Sequence, residues 1–84
     1  MGPAHVSKTT VDARTRFCVN GLRQSVANDS RCLRRLEILC AHLHQYPYAK
    51  GVAVRENAVG ELLHIRAKTT NESVKIQVSV LLPF

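Results

Sequence analysis

The apolar residues of this chain change period at Pro47, and no other feature limits the fold as strongly. Before that proline they recur at helical spacing; after it they alternate. At about 100° per residue, Cys32, Leu36, Leu39, Cys40, Leu43 and Tyr46 share one arc, with Leu33 at its edge. Arg31, Arg34, Arg35, His42 and Gln45 occupy the opposite arc. The pattern predicts an amphipathic helix from about Ser30 to Tyr46, capped by Asp29 or Ser30 and stopped by Pro47.

The preceding segment carries two competing signals. Thr9 and Asp12 resemble a capping box, and Val11, Cys18, Leu22 and Val26 align on one helical face. Asn20-Gly21 interrupts that face and is also the strongest two-residue hairpin signal. A hairpin would pair Arg14–Val19 with Leu22–Val26, where alternation is poor. A helix from about Thr10 that breaks or bends at Gly21 is the favoured reading.

Beyond Pro47, Val52 and Val54 alternate with Gly51, Ala53 and Arg55. Leu63, Ile65 and Ala67 alternate with Leu62, His64, Arg66 and Lys68. In the last run Val74, Ile76, Val78, Val80 and Leu82 alternate with Lys75, Gln77, Ser79 and Leu81. Polar connections at Asn57 and at Thr69-Thr70-Asn71-Glu72 are too short for parallel crossovers, so an antiparallel meander is expected. The expected fold is α+β: two N-terminal helices packed on one face of a three-stranded antiparallel sheet, in the order α-α-β-β-β. A short extra strand near His5–Thr9 is an option, and residues 1–8 are expected to form a flexible arm. With 84 residues the chain is expected to be a single small domain, because a second core could not be closed.

Twelve Lys and Arg stand against six acids, a formal charge of +6. Residues 1–50 hold eight basic and three acidic groups, a balance of +5; residues 51–84 hold four and three, a balance of +1. The excess therefore lies on the helical half. Cys18, Cys32 and Cys40 are odd in number and lack framework spacing. Without a signal-peptide apolar region or an 18-residue apolar run, a cytoplasmic protein with no membrane partner is expected.

Constellations for chemistry are sparse. Cys40, His42 and His44 are close in sequence, with His5 and His64 as further candidate ligands. Residues two apart on a helix project about 200° apart, so Cys40 and His42 cannot share an ion. The cysteines fall on apolar helical faces, where a thiol is inert. The six acids are scattered through the elements and frame no acid–base pair, and there is no phosphate-cradling glycine loop. No catalytic residue, metal site or cofactor is assigned.

Two surfaces remain as candidates. Arg31, Arg34 and Arg35 form a ridge, joined by His42 and in one arrangement Arg23, while His64, Arg66 and Lys75 share the polar sheet face. Either set suits phosphates of a nucleic acid. Ile38 lies within the arginine arc, Leu62 and Leu81 lie on the polar sheet face, and Phe84 ends the chain. These apolar residues point to self-association as a dimer or higher homo-oligomer. The element order loosely resembles that of the ribosome-dependent endoribonuclease toxins of toxin–antitoxin modules. The terminal Val80-Leu81-Leu82-Pro83-Phe84 lacks the basic and aromatic residues that family uses there, so no site is carried over. The functional expectation is a non-enzymatic, self-associating binding domain; the alternative is a nucleic-acid binder or RNA-directed toxin using the arginine face.

Overall fold

A computed structural model describes residues 7–82. Among these residues the chain is helical from end to end and contains no strand. The order is α1 (Lys8–Ser25), α2 (Asp29–Gln45), a 3-10 turn at Pro47–Ala49, α3 (Lys50–Arg55), α4 (Ala58–Lys68) and α5 (Glu72–Leu81). The expected sheet is therefore wrong, and the α+β class with it. The likeness to endoribonuclease toxins rested on that element order and goes too.

The N-terminal half forms the two helices its pattern predicts, but neither the Thr9–Asp12 box nor Asp29 or Ser30 supplies a cap. Ser7 caps α1 by accepting a hydrogen bond from the Thr10 amide, and Asn28 caps α2 through the Arg31 amide. Of the arm expected over residues 1–8, and of the strand considered at His5–Thr9, residues 1–6 lie outside the described residues. Ser7 is the cap, and Lys8 and Thr9 belong to the first turn of α1. Neither a hairpin nor a break occurs at Asn20-Gly21: α1 runs straight through it. Pro47 ends α2 as expected, with Tyr46 as its C-cap.

The C-terminal half shows why alternation misled. On a helix, residues two apart diverge by about 200°, so an alternating run splits onto two faces. In α5, Val74, Val78 and Leu81 are buried, at spacings of four and three, while Ile76 is 62% and Val80 58% exposed. In α4 the buried residues are Ala58, Leu62 and Ile65, again at helical spacing, and Leu63 is exposed. A valine or isoleucine costs a helix about 0.5 kcal/mol relative to alanine, whereas burying one stabilises by about 1.5–3 kcal/mol. Packing outweighs propensity.

Local caps set the boundaries. The Asn71 side chain accepts from the Val74 amide, and Thr69 Oγ1 accepts from the Asn71 amide. The polar link expected as a strand turn is thus a helix start. Asn57, at φ 65°, reverses the chain in the left-handed region between α3 and α4. Its side chain lies where a Cβ on Gly60 would sit, 2.5 Å from Asn57 Oδ1, which makes Gly60 part of the same corner.

α1 and α2 form one helical hairpin, α4 and α5 a second. α2 packs on α5 and α1 on α4, while α3 touches both α1 and α4. Val11, Val19, Leu22, Leu36, Leu39, Leu62, Ile65, Val74 and Val78 fill the space between the pairs. Arg23 clamps α1 to the other pair, donating to Glu61 Oε2 at 3.0 Å and to the Glu56 carbonyl at 2.6 Å. It is thereby withdrawn from the arginine ridge.

Candidate anion-binding seam

The exposed side of the α1–α2 hairpin is built around Arg35. A Cβ added at Gly21 would meet Arg35 Cδ at 3.1 Å and its Cζ and Nε at 3.2 Å. The side chain therefore lies across the bare backbone of α1. Its guanidinium stands 5.7 Å from the ring centroid of Phe17, within cation–π range. Asn20-Gly21 is not a turn but the seat of an arginine.

Arg31, Arg34, Arg35 and Ile38 together line a depression of about 270 Å³. Positions 31, 34, 35 and 38 are neighbours on a helical surface, which is why one helix can assemble them. Among the described residues none of the three guanidiniums has a carboxylate within 4.0 Å. Glu37 is exposed on the same helix and moderates the positive field. Two exposed apolar side chains flank the arginines, Phe17 at 67% and Ile38 at 40% exposure. The structure gathers Arg31, Arg34, Arg35 and Ile38, which share one arc in the sequence pattern, around this depression. The sequence pattern left Phe17 unjoined to them, because the break expected at Gly21 removed any reason to pair α1 with this face.

Farther along the same two helices a polar contact joins them. Thr15 is fully buried; its hydroxyl donates to the Val11 carbonyl at 2.8 Å and lies 2.7 Å from His42 Nε2. The hydroxyl has one proton, committed to the carbonyl, so His42 Nε2 carries a proton and donates to Oγ1. Burial, assisted by the nearby Arg14 charge, holds His42 below the ordinary histidine pKa. The imidazole also stacks at a tilt on Tyr46, 5.4 Å between centroids.

The second basic set does not assemble. His64 and Arg66 are two apart on α4 and project in nearly opposite directions. Lys75 is on α5 and pairs with Glu72 at 3.6 Å. The common face expected for them existed only on a sheet. Leu62 and Leu81, expected to be exposed for self-association, are buried in the core; Phe84 lies outside the described residues.

The cysteines divide. Cys18 and Cys32 are buried, and desolvation pushes both thiols above their usual pKa. Cys40 is half-buried and lines a second hollow of about 380 Å³ with Leu43, His44, Pro47, Lys50, Val80 and Leu81. Among the described residues no group of three His, Cys, Asp or Glu side chains is placed to hold a metal ion. No helix among them is long and apolar enough to cross a membrane.

Comparison with known proteins gives one kind of match. The calcium-independent phospholipase A2-gamma of Mus musculus is 34% identical over 77 residues, covering 92% of this chain and 10% of that protein. The protein of the same name from Oryctolagus cuniculus is 39% identical over 61 residues, 73% of this chain and 8% of its own length. The human one is 38% identical over the same number of residues, with the same coverage. The chain spans a tenth or less of the length of these curated relatives. No protein-family model matches it. No solved structure matches it either.

Proposed function

We propose that this chain is a helical binding module without chemistry of its own, whose α1–α2 seam engages a phosphate-bearing partner. The observation that carries this reading is the cluster of Arg31, Arg34 and Arg35 around one depression, with no carboxylate on them among the described residues. Guanidiniums match phosphate geometry through paired N–H donors, and their exposure makes the contact salt-sensitive. The relatives are phospholipases by name, and so little of them is matched that their activity is not carried over. Their name nonetheless fits a partner that bears phosphate. The test is binding at low salt to single-stranded RNA and to vesicles containing phosphatidylserine. At least one should bind, more weakly as salt rises, and Arg34→Glu should weaken it. Failure of both to bind at low salt removes the reading.

A second reading, self-association, is favoured by a different surface. Ile76 and Val80 lie one turn apart and strongly exposed on the outer face of α5. Sedimentation equilibrium at high micromolar concentration tests it. A dimer that dissociates on Val80→Asp supports the reading, and a pure monomer ends it.

A further inference from the structure

Resting on the phosphate-binding reading of the seam, we infer that its partner is the surface of an anionic phospholipid bilayer, not a nucleic acid. The side chains around Arg35 decide between the two. Phe17, beneath the Arg35 guanidinium, and Ile38, beside it in the depression, are both exposed, one ring and one branched aliphatic chain. A nucleic-acid groove alternates cations with open aromatic faces on which bases stack. Here Arg35 already lies over the Phe17 ring, and Ile38 has no π-face to offer. An aliphatic and an aromatic residue set among guanidiniums instead match the boundary of a bilayer, where phosphate and acyl chain lie within a few ångströms. Interfacial docking needs this combination: charge alone or one apolar group alone binds weakly.

The arrangement is held in place. Arg35 is braced by the Gly21 backbone and Phe17, and α2 is fixed to α1 through Thr15 and His42. Contact would be at the surface, with arginines on headgroup phosphates and Phe17 and Ile38 entering the interface.

The experiment is co-sedimentation of the 84-residue chain with phosphatidylcholine vesicles, with and without phosphatidylserine, beside filter binding to single-stranded RNA. Binding only to vesicles containing phosphatidylserine is expected. Arg34→Glu should lower it by about fivefold or more, since each surface arginine contributes about 1 kcal/mol at such a membrane. Phe17→Ser should lower it further without a change in net charge. Circular dichroism of each variant keeps unfolding apart from loss of binding; both sites are exposed. RNA binding without vesicle binding overturns this inference and leaves the phosphate-binding reading standing. Binding to neither overturns both. Vesicle binding that ignores Arg34→Glu and Phe17→Ser also overturns it, because the contact is then elsewhere.

Discussion

The two basic sets of this chain differ in how the fold treats them. Arg31, Arg34 and Arg35 are gathered by a single helix around one depression; His64, Arg66 and Lys75 are dispersed over two helices. Their composition is similar. What separates them is spacing: intervals of three and four converge on a helix, and an interval of two diverges. The same rule applies to the apolar residues of α2 and α5. In α2 every fully buried position sits at helical spacing, with Ile38 the apolar exception on the outer arc. In α5 the alternating valines and isoleucine are divided, two valines inside and Ile76 and Val80 outside.

The largest expected effect tests that division. Val78→Asp places an unpaired carboxylate in the core and should destabilise by several kcal/mol, enough to unfold so small a domain. Val80→Asp, two residues on, should change stability by about 0.5 kcal/mol or less. Urea titration of both variants measures the difference. On a sheet the two residues would share a face and the losses would match, so equal losses would break the comparison.

A smaller effect concerns the clamp between the helical pairs. Arg23→Ala removes the ion pair with Glu61 and the bond to the Glu56 carbonyl, leaving a solvent-accessible site. A loss of about 0.5–1.5 kcal/mol is expected by the same titration. No measurable loss would mean that α1 is held to α3 and α4 by apolar packing alone.

His42 gives the α1–α2 seam a pH dependence of stability. Its folded pKa lies below the unfolded value of 6.5, so below that pH the unfolded chain binds more protons than the folded one. The contribution of His42 is fully present above about pH 6.5 and declines as pH falls from there toward the folded pKa. His42→Gln should flatten this part of the stability profile, read as melting temperature between about pH 5 and about pH 8, around the ordinary histidine pKa. An unchanged profile would show that the ring is already solvated.

The smallest expected effect is at the seat of Arg35. Gly21→Ala improves helix propensity by about 0.5–1 kcal/mol but forces Arg35 to shift a few tenths of an ångström. Stability should change little, while the vesicle binding assigned to the seam should fall. A rise in both would show that the position of Arg35 does not matter.

Much of the N-terminal half was legible in the sequence because its signals agree. Apolar arc, charged arc and terminating proline in α2 all specify one element, although its cap is Asn28 and not Asp29 or Ser30, and Arg31, Arg34, Arg35 and Ile38 were placed together on that basis. Phe17 was not joined to that face because of Gly21, whose dipeptide with Asn20 carries turn chemistry that tertiary packing uses for another purpose. The C-terminal half misled because β-branched residues at every second position also contain the four-and-three spacing of Val74, Val78 and Leu81. Alternation alone cannot distinguish a strand from a short helix buried on one side and apolar on the other. The caps held the missing information. Asn71 before Glu72 reads equally as a turn or as a helix start, and only the Val74 amide it accepts from settles which.

The comparison of the two basic sets leads to one direct measurement: binding of phosphatidylserine-containing vesicles by Arg34→Glu and Arg66→Glu side by side. Both substitutions change the net charge equally and both sites are exposed. Arg34→Glu should weaken binding by about fivefold or more, and Arg66→Glu by about twofold or less through net charge alone. Equal losses, or the larger loss at Arg66, would contradict the seam as the site of binding.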